Sequence, residues 1–196
     1  MRYSIMDNFI CFFISSLIIF ALLKSIYKNN KIVKIKADDN IEYIVRDLSN
    51  SKEAANKLSA INQKLQNLIN SLDEKQNEDV IRLKDKYNPR TLSETLEGAD
   101  FTSYSVNKGE KIFLCIRTSK DPMIFEEDNT IIFVAIHELA HVMTTEIGHT
   151  KKFWDNMKFL LEKAEDLDIY KPIDYSKNNE DYCGMDIKST PYDFKK

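Results

Sequence analysis

The stretch IIFVAIHELAHVMTTEIGH, residues 131–149, decides the fold and contains every histidine of the chain. From Ile131 to Met143 it is apolar on nearly every side, which predicts a helix that runs through the core of the protein. Asp128, Asn129 or Thr130 can cap the start of this helix. Buried imidazoles are costly unless they have partners, so the histidines indicate a site rather than packing alone.

The H-E-x-x-H pattern of His137, Glu138 and His141 predicts a catalytic metal site on this helix. Two histidines four residues apart lie on one face of a helix, close enough for their ring nitrogens to bind one ion. Glu138 projects beside that face, where its carboxylate can take a proton from the attacking water. We therefore expect His137 and His141 to be metal ligands and Glu138 to be the general base.

His149 is the candidate for the third protein ligand that a catalytic zinc site requires. In an unbroken helix His149 would lie roughly 12 Å beyond His141 along the axis, too far away to share an ion. The chain must therefore leave the helix, and Gly148 can adopt the left-handed conformation that such an exit needs. Glu146 remains the alternative third ligand. Zinc is the metal expected for imidazole ligands without thiolates, with manganese, cobalt and iron as alternatives.

Composition indicates one folded domain and argues against nucleic acid as a partner. The chain has 196 residues, of which 43% are hydrophobic and 30% are charged, and its formal net charge is -3. Because it lacks the basic excess that phosphate binding needs, nucleic acid is an unfavoured partner, and the oligomeric state is left open. Cys11, Cys115 and Cys183 are odd in number, which favours two buried thiols over a pair between Cys115 and Cys183.

The uncharged apolar run from Phe9 to Leu23, flanked by Tyr3 and Tyr27, predicts a single-pass membrane helix. A cleaved signal peptide is the alternative, in which case the mature protein would begin near residues 24–30. Lysines follow the run without any acid between them, which predicts a cytosolic catalytic part; they are Lys24, Lys28, Lys31, Lys34 and Lys36. We expect residues 1–30 to be a membrane anchor with a basic flank and residues 31–196 to be the catalytic domain.

The rest of the chain predicts a mixture of helices and strands around the metal site. The residues from Ile41 to Arg46 are typical of a strand, and apolar spacing from Ser51 to Glu74 predicts an amphipathic helix that packs on the domain or binds a partner. Two β-prone runs around Gly109, residues 101–106 and 111–117, predict a hairpin. Thr150 can cap a second helix that contains Phe153 and Trp154. The tail at residues 170–187 is either a surface loop or a border of the active-site cleft.

The stretch HELAHVMTTEIGHTKKFW, residues 137–154, resembles the WLM group, the weak-suppressor-like metallopeptidases, and more distantly the SprT and Spartan proteins. The likeness extends upstream through TSYSVNKGEKIFLCIR and downstream to DYCGMDI. It implies an α+β fold of the zincin type, with minigluzincin-like organisation and a small β-sheet over the active-site helix. It also implies Zn²⁺ as cofactor, His137, His141 and His149 as its ligands and Glu138 as the catalytic base. Anchored relatives of this kind look like proteins of large DNA viruses.

These observations together predict a zinc-dependent endopeptidase that hydrolyses protein substrates through a metal-activated water. We expect the substrate to add as an extra strand beside the 101–117 hairpin. Cellular members of the resembled group cleave proteins that are attached to DNA or carry ubiquitin-like tags, but this chain lacks a basic patch or a recognisable extension for either. The alternative is a membrane-tethered interaction protein with a vestigial metal site, in which helix 51–74 recruits the partner.

Overall fold

One mixed sheet, four helices and a small hairpin form an α+β arrangement over residues 32–73 and 77–192. The computed structural model describes residues 14–20, 32–73 and 77–192. In chain order its elements are β1 (Ile32–Lys36), β2 (Glu42–Arg46), α1 (Ser51–Ser71), α2 (Glu78–Lys86), β3 (Leu92–Glu94), β4 (Tyr104–Val106), β5 (Lys111–Leu114), α3 (Asp128–Met143), α4 (Lys151–Asp166), β6 (Glu180–Tyr182) and β7 (Met185–Ile187). The α+β class expected from the sequence is therefore confirmed.

The sheet has five strands in the order β1-β2-β3-β5-β4. The strands β2, β3 and β5 run parallel, whereas β1 and β4 are antiparallel edge strands. The predicted hairpin is the β4–β5 pair, in which Tyr104 lies opposite Phe113. Its turn requires Gly109, because φ is +105° there and an added Cβ atom would lie 2.8 Å from the side chain of Val142 in α3. The hairpin turn therefore lies directly against the active-site helix.

Helix α1 uses its apolar face to cover the sheet. Its residues Leu58, Leu65 and Leu68 are fully buried in the core. This agrees with the packing alternative from the sequence, and the apolar face of α1 is already occupied by the core of the domain. A partner-binding role for α1 would require an exposed apolar face, and this face is buried in the domain.

Helix α3 crosses the core, as the apolar run predicted, but it begins earlier and without the expected cap. It starts at Asp128, and no side chain at its N-cap position makes a capping hydrogen bond. The side chains predicted to cap it have tertiary partners: Asp128 forms an ion pair with Lys57 at 2.7 Å, and Asn129 exchanges two hydrogen bonds with the backbone of Lys171. Long-range contacts thus determine how this helix begins.

The predicted membrane-spanning helix over Phe9–Leu23 is wrong, and so is the single-pass membrane location with a cytosolic catalytic part. Among residues 14–20, 32–73 and 77–192, no helix is both long and apolar enough to cross a membrane. Of the predicted span, residues 14–20 are helical. The remainder of the span, and the boundary expected at residue 30, lie outside the described residues.

The C-terminal tail forms a hairpin that a disulfide joins to the sheet. The strands β6 and β7 pair through a two-residue turn at Cys183 and Gly184, both with positive φ, as a type I′ turn requires. The Sγ atoms of Cys115 and Cys183 are bonded to each other. The interpretation of these cysteines as separate thiols was therefore wrong. Their separation of 68 residues carries no local signal, because the fold alone brings them together.

Candidate metal centre

Three imidazoles meet at one point on the surface of α3. His137 and His141 lie one helical turn apart, and the Nε2 atom of His149 is 3.1 Å from that of His137 and 3.2 Å from that of His141. Each residue offers a ring nitrogen, and these atoms all lie within 4.8 Å of one another. The three histidines expected from the sequence to be ligands are thus brought together.

The donor set fits a zinc ion in both spacing and charge state. Nitrogen ligands at about 2.0–2.1 Å from a tetrahedral zinc ion are roughly 3.3 Å apart, close to the two Nε2 separations of His149. Burial, reinforced by the other two imidazoles, lowers the pKa of His137 to about 3. Burial, together with His149 and Lys108, lowers the pKa of His141 to about 4. Both rings are therefore neutral at pH 7, which is the form that binds a metal.

One aromatic ring packs against all three imidazoles. The ring of Phe153 in α4 is fully buried, and its centroid lies 4.8, 4.4 and 4.7 Å from those of His137, His141 and His149. The indole of Trp154 packs beside His149 at 5.7 Å. Thr150 makes the predicted N-cap of α4 by accepting a hydrogen bond from the backbone N–H of Phe153. This cap places the aromatic pair immediately after the third histidine.

Glu138 is the buried carboxylate of the site, with an exposed fraction of only 4%. Burial raises the pKa of its carboxyl group to about 7, although hydrogen bonds from the side chain and backbone of Ser105 favour the charged form. Ser105 belongs to edge strand β4 and is the central residue of its three. The edge strand therefore orients the carboxylate that lies next to the first histidine.

Residues 144–149 connect the end of α3 to the third histidine, and hydrogen bonds from side chains of three other elements fix the conformation of this part of the chain. Helix α3 ends where Thr144 adopts an extended conformation. Arg82 of α2 donates a hydrogen bond to the carbonyl of Met143 at 2.6 Å. The Lys108 ammonium group donates to the carbonyls of Thr144 and Glu146 at 2.9 and 2.6 Å. These cations satisfy carbonyl groups that the end of a helix leaves without intrahelical partners.

Two further contacts fix the same segment. The side chain of Asn156 in α4 donates a buried hydrogen bond to the Thr144 hydroxyl at 2.9 Å. Asp79 of α2 forms ion pairs with Arg82 and with Lys152, which follows His149 by three residues. Burial raises the pKa of Asp79, but hydrogen bonds from Lys152 and Arg82 outweigh it and hold the pKa below its usual value.

Helix α3 ends at Met143, as the apolar run predicted, because Thr144 is already extended. The expectation that Gly148 ends the helix was wrong, since it lies five residues farther on. Gly148 does have positive φ, at +83°, but it turns the loop just before His149 rather than ending the helix. Glu146, the alternative third ligand, is exposed, and its carboxylate is outside the cluster of ligand atoms found among the described residues.

Sequence reasoning missed Lys108 and Ser105, which lie on the hairpin, and Arg82, which lies on α2. A lysine or a serine in a hairpin carries no signal that it faces a helix far along the chain. The existence of α2 could have been recognised, because Asn77 caps it, acids occupy its first turn and lysines its last.

The chain is similar to a known domain family and to proteins of viruses. The sequence model of the WLM domain family matches residues 37–191. An uncharacterised protein of Acanthamoeba polyphaga mimivirus is 35% identical over 160 residues, which cover 78% of this chain and 81% of the viral protein. An uncharacterised protein of Invertebrate iridescent virus 6 is 44% identical over 69 residues, which cover 35% of this chain and 38% of that protein.

A solved structure shares the fold. The crystal structure of Wss1 from Saccharomyces cerevisiae superposes with a TM-score of 0.51 at 23% sequence identity, over 63% of this chain and 87% of that chain. At this level of identity the match supports the arrangement of helices and strands.

Proposed function

The chain belongs to the WLM domain family, and we propose that it is a zinc-dependent endopeptidase that hydrolyses peptide bonds of protein substrates. One observation carries the proposal. Three imidazole donors converge within 4.8 Å, and a buried carboxylate lies next to the first of them in the chain. This combination is typical of hydrolytic metal sites, which keep one coordination position open beside a general base.

In the proposed mechanism His137, His141 and His149 would hold the metal ion. A zinc ion bound there would supply a Lewis acid, able to polarise the peptide carbonyl and to lower the pKa of water. Glu138 accepts the proton of the attacking water and delivers it to the leaving amine. Ser105 holds the Glu138 carboxylate in the orientation that both transfers need.

The substrate is proposed to lie along the edge strand β4. This strand pairs only with β5 among the described residues, so its other edge can pair with an extended peptide, apart from the backbone group of Ser105 that is bonded to Glu138. Because Ser105 of the same strand contacts Glu138, a peptide paired with β4 would pass close to the carboxylate.

The decisive experiment replaces Glu138 by Gln and measures cleavage of denatured casein together with zinc content. We expect Glu138→Gln to lose at least about 100-fold in cleavage rate while it retains one zinc per chain. The matched control is Glu146→Gln, which changes an exposed glutamate near the same histidines and is expected to keep both activity and zinc.

A third variant, His149→Ala, tests the ligand set. We expect this variant to lose zinc and activity together, because two imidazoles alone do not complete a catalytic zinc site. Full cleavage by Glu138→Gln, or loss of zinc from Glu146→Gln but not from His149→Ala, would contradict the proposed mechanism.

A further inference from the structure

A cavity of about 270 Å³ opens directly beside the proposed reaction centre, and its lining divides by chemistry. His137, Glu138 and His149 form one end of it. Of the other lining residues, six are apolar: Phe133, Val134, Trp154, Met157, Met185 and Ile187. Five are polar: Thr102, Ser103, Asp186, Lys188 and Ser189.

The apolar part of the cavity is built from three elements. Phe133 and Val134 lie one turn before His137 in α3, on the side of the helix that leads to the site. Met157 comes from α4 and is fully buried, and Ile187 from β7 is 9% exposed. Met185 is the most exposed of these apolar residues, at 48%, which indicates a position at the mouth of the cavity. The polar residues include an ion pair between Asp186 and Lys188 at 3.0 Å, so charged groups there already have partners.

The wall formed by β6 and β7 is held firmly in place. The hydroxyl of Tyr182 donates to the carbonyl of Cys115 at 2.6 Å and lies 2.8 Å from the hydroxyl of Ser103. Glu126 accepts a hydrogen bond from the backbone N–H of Cys183 at 2.8 Å, and the disulfide joins the same turn to Cys115. A cavity with such a wall keeps its shape, which selectivity by fit requires.

We propose that this cavity binds a large apolar side chain, aliphatic or aromatic, of the substrate residue that flanks the scissile bond. The inference rests on the proposed peptidase function and adds the class of residue that it selects. An apolar cavity next to the reaction centre stabilises a matching side chain by excluding water from it, and it leaves a charged side chain without a partner. Discrimination of about 10-fold or more between a leucine and an aspartate at this position is expected.

The test maps the cleavage sites of the zinc-loaded protein in denatured casein by mass spectrometry. Large apolar residues are expected to be enriched at one of the two positions that flank each cut. Met185→Lys places a cation at the mouth of the cavity and should lower kcat/KM for a leucine peptide about tenfold while raising it for the matching glutamate peptide.

The matched control is Met123→Lys, which changes a methionine of similar exposure, 43%, outside the cavity lining. This variant should leave the preference unchanged. Val134→Phe fills the cavity from the helix side and should favour small residues over large ones. If cuts show no enrichment, or if Met185→Lys and Met123→Lys behave alike, the cavity does not select the substrate.

A binding measurement separates this inference from the peptidase proposal. Zinc-loaded Glu138→Gln protein is titrated with fluorescent peptides that differ only in a leucine or an aspartate at the selected position. Tighter binding of the leucine peptide that is lost in the Met185→Lys background supports the proposed role of the cavity. This holds even if the wild-type protein cleaves nothing, because absence of cleavage would refute only the peptidase proposal. Equal binding of both peptides overturns the inference whatever the cleavage result.

Discussion

Replacing Lys108 by Met tests whether the hairpin positions the third histidine. The ammonium group donates to the carbonyls of Thr144 and Glu146, which lie in the segment between the end of α3 and His149. Methionine keeps a similar length and apolar stem but removes both donors. Without them, residues 144–149 sample conformations in which His149 lies away from His137 and His141, and only the fraction with all three together binds the ion fully.

The expected magnitude follows from the two hydrogen bonds. Each contributes about 1 kcal/mol at a half-buried position, so the variant loses about 2 kcal/mol of the free energy that orders the loop. That loss weakens zinc affinity by up to about 30-fold. The measurement is a competition titration against a chromophoric zinc chelator, with circular dichroism melting to show that the fold persists.

The sign of the result distinguishes positioning from simple electrostatics. Lys108 is close enough to His141 to help lower the pKa of that ring, so removing its charge would by itself strengthen the binding of a dication. The matched control is Lys111→Met, which removes an exposed lysine of β5. Unchanged or tighter zinc binding by folded Lys108→Met, or equal weakening in Lys111→Met, would refute the positional role.

Three further predictions concern the scaffold. Gly109→Ala should lower the free energy of unfolding by about 1–3 kcal/mol in a urea titration, more than Gly98→Ala, because only the first residue faces a side chain of α3 within 4 Å. Asp79 has a lowered folded pKa, so it stabilises above its unfolded pKa of about 3.9 and this contribution is lost as pH falls through the folded value; Asp79→Asn should therefore be less stable at pH 7, with the difference shrinking at acid pH in thermal melts. Replacing both Cys115 and Cys183 by serine should cost up to about 4 kcal/mol, from the loop that a separation of 68 residues closes, and reductant added to the wild type should reproduce the loss.

Elements with a local pattern were predictable from the sequence. Helix α3 is one long apolar run, helix α1 has an unbroken apolar stripe, and Thr150 caps α4 as its position indicated. The strands β1 and β3 were not predicted. Strand β3 has only three residues, all buried, and its strand character comes from β2 and β5 on either side of it. A strand that exists because of its neighbours leaves little periodicity of its own.

The membrane prediction failed for a related reason. That prediction rested on the composition of a single apolar run. Among residues 14–20, 32–73 and 77–192 no helix is long and apolar enough to cross a membrane, and composition alone does not specify such a helix.

In the candidate metal site, too, one part follows from local sequence and the other from the tertiary fold. The spacing of His137 and His141 is a property of one helix, so their proximity follows from sequence alone. The position of His149 instead depends on Arg82 in α2, Lys108 in the β4–β5 hairpin and Asn156 in α4, which come together only when the domain has folded. The third donor is therefore available only in the native state, and the full affinity of the site for its ion adds to the free energy of folding. Mutations that loosen these supports would lower the affinity of the site for a metal ion without touching any histidine, because the sequence identifies His149 as a candidate but only the fold brings its ring to the other two.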